Sequence, residues 1–172
     1  MGKARPDYQA LPPVQESIRS LSLYLRQRFR DQSLLNRAFL LWAAALTPGL
    51  LASEQKASLI TEFGTKQLED GGWSSASLVV SSWKRRDGTP LDAKSDGYAT
   101  GLVAFVLSQS GASPTQPQLS RALAWLTHNQ DKAAGSWPSS SLNKQRDPQS
   151  DAGRFMSDAA TAYSVLALTG IR

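Results

Sequence analysis

Apolar residues recur along this chain with two different helical signatures. Val14, Ile18, Leu21 and Leu25 follow at spacings of four, three and four, with Arg19, Arg26 and Arg28 between or beside them. Leu119, Ala122, Leu123 and Leu126 form a second stripe of this kind. A one-sided apolar stripe marks a helix with one face in solvent. Other stretches, such as 34–46 with Ala38, Phe39, Leu40, Leu41 and Trp42, are apolar on nearly every side. The pattern predicts amphipathic helices at about 14–30, 53–68 and 117–129. They alternate with helices apolar all round at about 34–46, 96–110 and 158–169. The first set must be outer and the second inner, because an apolar surface on every side requires enclosure. Thr47-Pro48-Gly49, Gly111 and Gly170 end the inner helices, as a Gly just past a helical run does.

A repeat underlies the alternation. The segment Phe63-Gly-Thr-Lys-Gln67-Leu-Glu-Asp-Gly71-Gly-Trp73 ends a helical pattern in Gln and continues, after a short gap, into Gly-x-Trp. Trp125-Leu126-Thr-His-Asn-Gln130-Asp-Lys-Ala-Ala-Gly135-Ser-Trp137 does the same. Repeats of this kind are stacked units that bury their faces against neighbours. The copies run over about 33–73 and 95–137, with a truncated third over 157–172. Residues 1–13, carrying Pro6, Pro12 and Pro13, are expected to be a short arm ahead of a repeat domain spanning 14–172. The fold class is all-α, built from about three helical hairpins.

Gln67 and Gln130 followed by Gly-x-Trp, with the pair Trp125-Leu126 upstream of the second, resemble the QW motif of squalene and hopene cyclases. The wider unit is similar to the α/α toroid of terpenoid cyclases and protein prenyltransferase β-subunits. The resemblance implies two concentric helical rings, of which this chain would form half: three hairpins of an α/α6 barrel. It also implies that Gln67, Gly71, Trp73, Gln130, Gly135 and Trp137 are structural, the Gln reaching the next helix start and the indole packing over the junction.

Composition narrows the chemistry. The chain of 172 residues can bury a real core, and its lack of cysteine excludes disulfides and thiolate metal sites. No apolar signal region is visible in residues 1–20, and 38–51 is too short to span a bilayer. The expectation is a soluble protein, cytoplasmic or peripheral at a membrane. Net charge is +5, but the bases are scattered, so a nucleic-acid partner is not expected. The expected partners are an apolar or isoprenoid ligand, a second copy or a missing N-terminal half, and weak contact with a membrane surface.

Two long loops, about 71–95 and 131–157, each lead from an outer to an inner helix and should open at one rim. The inner helices after them begin at Ser95-Asp96 and Ser157-Asp158, where an N-cap is the plain reading. Class II terpene cyclases carry a cluster of three carboxylates at the corresponding place, and by that resemblance Asp96 would be a general acid. One carboxylate stands here where the family has three, so the chain alone is expected to bind or scaffold without turnover. An active cyclase half and a protein-interaction scaffold are the alternatives. Tyr98, Phe105, Phe155 and Tyr163, on or beside inner helices, are the candidate ligand contacts. With no Cys and His128 alone, neither a zinc site nor a cofactor site is expected.

Overall fold

The structure, a computed structural model, describes residues 5–170, and these are all-helical. The helices are α1 (Pro6–Gln9), α2 (Pro12–Gln27), α3 (Leu34–Leu46), α4 (Ser53–Lys66), α5 (Gly97–Gln109), α6 (Pro117–His128) and α7 (Asp151–Thr169). Short 3-10 turns lie at Phe29–Asp31 and Ser75–Leu78. Among the described residues no strand forms, and one isolated bridge joins Asp131 to Ser136. No helix among them is long and apolar enough to cross a membrane.

α5 is the centre of the core. Its residues from Ala99 to Leu107 are all buried, which accounts for a sequence with no polar face. α3 and α7 flank it and run in the same direction. Trp42 meets Phe105 toward one end of the pair, while Leu35 and Tyr98 line one cavity toward the other. α7 approaches closely because Gly101 leaves room. A Cβ there would come within 2.7 Å of the Ser164 nitrogen, and the Ser164 hydroxyl donates to Gly97 O at 3.4 Å. α6 packs over α5, and α4 over α3. The α3–α4 pair is tied by Arg37, whose two Nη atoms donate to the Glu62 carboxylate at 2.7 and 2.6 Å.

Three features differ from the sequence expectations. α2 begins at Pro12, inside the expected arm, because Pro is favoured in a first helical turn. Residues 6–9 of that arm form a helical turn, and its first four residues lie outside the described region, as do 171–172 of the truncated third copy. α7 begins at Asp151, seven residues before Asp158. Ser150 caps it, its hydroxyl accepting from Gly153 N at 3.1 Å. Ser157 is therefore inside the helix and bonds back to Gly153 O, a local pairing that leaves the backbone ladder intact. Finally, α7 is not enclosed. Gly153, Ala160, Ser164 and Ala167 are buried, but Asp151, Phe155, Asp158, Ala162, Val165 and Thr169 form an exposed stripe.

Candidate functional site

The two Gln–Gly–Trp segments are built alike. Trp73 is fully buried and donates from Nε1 to Phe63 O at 2.8 Å; Trp137 donates to Leu126 O at 2.8 Å. Their backbone amides donate to Thr100 Oγ1 and Thr161 Oγ1 respectively. Each tryptophan thus joins one helix to the next, Trp73 linking α4 to α5 and Trp137 linking α6 to α7. Gln67 donates to Gly71 O at 2.8 Å and to Gln118 O, in the first turn of α6, at 2.9 Å, while accepting from Arg121. Gln130 donates to Gly135 O at 3.0 Å. Gly71 has φ +94°, and a Cβ there would meet Arg121 O at 2.8 Å, so the close approach requires glycine.

Beyond these junctions the two long loops meet. Trp83 Nε1 donates to Leu142 O, Arg85 to Ser141 O, Arg86 N to Asn143 O, and Gln145 N to Asp87. The latched loops stand over the N-terminal ends of α5 and α7, at one rim as the sequence suggests. The Ser139–Ser141 run divides two cavities. One, of about 400 Å³, has a mixed wall in which Arg85, Asp92, Gln145 and Arg146 stand beside Leu91, Pro138 and Met156. The other, of about 490 Å³, has a more apolar wall containing Leu35, Tyr98, Leu142, Phe155 and Met156. Beside it the Ser139 hydroxyl is buried without a hydrogen-bond partner, while the buried Ser75 hydroxyl faces the Asp96 carboxylate.

Tyr98 begins a row of rings that continues from this second cavity along the inner helices. Tyr98 and Tyr163 meet edge to face at 5.7 Å, as do Phe105 and Trp42 at 5.0 Å, and Tyr163 and Phe105 meet tilted at 6.1 Å. Phe39 joins through Tyr163 at 6.3 Å. Three of the four expected contact residues, Tyr98, Phe105 and Tyr163, thus form one cluster. Phe155 lines the cavity with Tyr98 but is 72% exposed.

Asp96 lies behind this wall. It is 7% exposed, and it caps α5: Oδ1 accepts from Ala99 N at 2.9 Å and Oδ2 from Ser75 N at 2.6 Å. Burial pushes its pKa above the ordinary carboxylate value, against hydrogen bonds from the Ala99 and Ser75 amides and the Ser75 hydroxyl, which favour the charged form. Burial likewise raises the Tyr98 hydroxyl, with smaller contributions from Tyr163 and Asp96. Asp70 behaves oppositely. Burial pushes it up, but donors from Gly72 N, Ser95 Oγ and Trp125 Nε1 outweigh that and hold it below its ordinary value. Asp92 is exposed and accepts from Lys94 N and Ser140 Oγ.

No family model, curated protein or solved structure matches this chain. The reading of the site therefore rests on its own residues. Among the described residues no three His, Asp or Glu side chains are grouped to hold a metal ion. His128 ends α6 on the surface with Nδ1 at 2.7 Å from Ala124 O. Phe39 and Trp42 were not among the sequence candidates, although with Leu35 they follow the three-to-four spacing of one helix face. Ser75, Ser139 and Met156 carry no such signal, because loop pairing brings them to the cavity.

Proposed function

We propose that the chain is a terpenoid-cyclase-like module of helical hairpins, half of an α/α toroid, that holds an apolar ligand of the isoprenoid class without turnover. The observation that carries this reading is the cavity of about 490 Å³ opening beside a row of rings shared by α3, α5 and α7. Its volume falls in the range of small-molecule sites, and its apolar wall suits a ligand that gains from leaving water. A single terminal hydroxyl on such a ligand would give the Ser139 hydroxyl the partner it lacks. The alternating outer and inner helices and the paired Gln–Gly–Trp junctions support the toroid reading.

Asp96 supports a second reading, a cyclase half with that residue as general acid, since burial biases it toward the protonated form. Its two oxygens are already engaged by amides, and that favours the capping role. Calorimetric titration with farnesol tests the first reading: saturable binding is expected, weakened by Tyr98→Ala and unaffected by His128→Ala. Incubation with squalene tests the second, and no cyclic product is expected from the chain alone. An Asp96-dependent cyclic product would reverse the order of the two.

A further inference from the structure

The two Gln–Gly–Trp junctions are equivalent up to one point. At the first, Gln67 reaches Gln118 O in the opening turn of α6, and Gly71 packs on Arg121. At the second, no helix among the described residues takes the place of α6. Gln130 has no helix start to reach, and nothing lies within 4 Å of where a Gly135 Cβ would stand. Next to this gap is the exposed stripe of α7, with Phe155, Ala162 and Val165 among its members.

We infer that α2 of a second copy of this chain fills the gap, docking head to tail against α7. α2 and α6 are the same kind of helix: both open on proline in the first turn without a side-chain cap. Placing Pro12 on Pro117 puts Val14, Ser17, Ile18 and Leu21 on Leu119, Ala122, Leu123 and Leu126. Pro13 O then takes the place of Gln118 O and receives the Gln130 amide. In its own chain α2 has no fully buried residue: Ile18 and Leu25 are half-buried across a cavity from Ala43, Leu46 and Leu50, and Leu21 and Tyr24 are left 50% and 56% exposed. It would run antiparallel to α7, as α6 does to α5.

Charge fits the same docking. Arg26 ends α2 and bonds Gly49 O and Leu50 O, and Arg28 just after it pairs with Asp31, so Arg30 of the following 3-10 turn is the base that would face the N-terminal half of α7, where Asp151 pairs with Arg154 and Asp158 is exposed. α2 is four residues longer than α6 (16 against 12), and the extra length lies beside the two turns by which α7 extends ahead of Ser157. Made once, a head-to-tail contact continues into a filament; made reciprocally in one pair, it closes. The closed pair also brings two rows of rings face to face. This inference stands on the junctions and helix faces and does not depend on ligand binding.

Sedimentation equilibrium of the full chain tests it. A dimer of the 18.6 kDa chain is expected. Tyr24→Glu and Val165→Glu should each raise its dissociation constant by about 30-fold or more, with helical circular dichroism unchanged. Thr61→Glu, on the exposed side of α4, should leave the dimer intact. A monomer at concentrations on the order of 100 μM would overturn the inference, even if a different protein then covered α7. A dimer that survives both variants would overturn it equally.

Discussion

Trp73 and Trp137 each use a buried indole and a backbone amide to join three segments, so their removal should be felt well beyond the cavity left behind. Trp137→Ala is expected to cost about 3–5 kcal/mol by urea unfolding, the usual range for a buried aromatic. The two glutamines should separate. Gln67→Ala removes bonds to Gly71 O and Gln118 O and should cost about 1–3 kcal/mol. Gln130→Ala, measured on monomer, should cost less than about 1 kcal/mol, since it bonds within its own loop. The carboxylates differ in sign. The folded pKa of Asp96 is raised, so its contribution is fully present below its unfolded pKa and is lost as pH rises through the folded value. The cost of Asp96→Asn should therefore shrink as pH rises from the ordinary carboxylate value through the folded one. Asp70 is lowered, so its contribution is present above the unfolded pKa and fades as pH falls through the folded one. Asp70→Asn should weaken the protein most at neutral pH and least in acid, and unfolding curves across pH read both trends.

At the scale of elements, α7 shows what local sequence can and cannot specify. Ser150 caps it, so Ser150→Ala should cost about 1 kcal/mol while Ser157→Ala changes stability little; thermal unfolding of the two variants checks this. Both serines precede plausible helix, and periodicity alone does not rank them. The decision lies in the packing of Gly153 against Asp147 and Pro148, a contact made by the incoming loop. By contrast α3, α5 and α6 were legible within a residue or so. Pro117, Gly111 and the Thr47-Pro48-Gly49 break punctuate them, and their apolar faces are strongly periodic. The junction residues were legible because the repeat doubles the signal. The cavity was legible in part: Tyr98 and Tyr163 are on core helices, whereas Ser75, Ser139 and Met156 arrive through the pairing of two loops far apart in sequence.

For the whole molecule, three core helices running in one direction carry a row of rings, half-buried at Tyr98, Tyr163, Phe39 and Trp42 and buried at Phe105, with a cavity at one end under latched loops. That arrangement accounts for apolar residues that neither α4 nor α6 covers, and it is the basis for reading the chain as a holder of an apolar ligand. The exposed stripes of α2 and α7 belong to assembly, with Phe155 shared between the α7 stripe and the cavity wall, and they offer a competing place for any apolar molecule to stick. The most direct test is therefore one that reports position as well as affinity. Photolabelling with a diazirine-bearing farnesyl alcohol, followed by peptide mapping, does this. Saturable labelling of Tyr98, Phe155 and Met156, competed by unlabelled farnesol and lost in Tyr98→Ala, is the predicted result. Labelling that does not saturate, or that falls on Leu21 and Tyr24 of α2, would contradict the account.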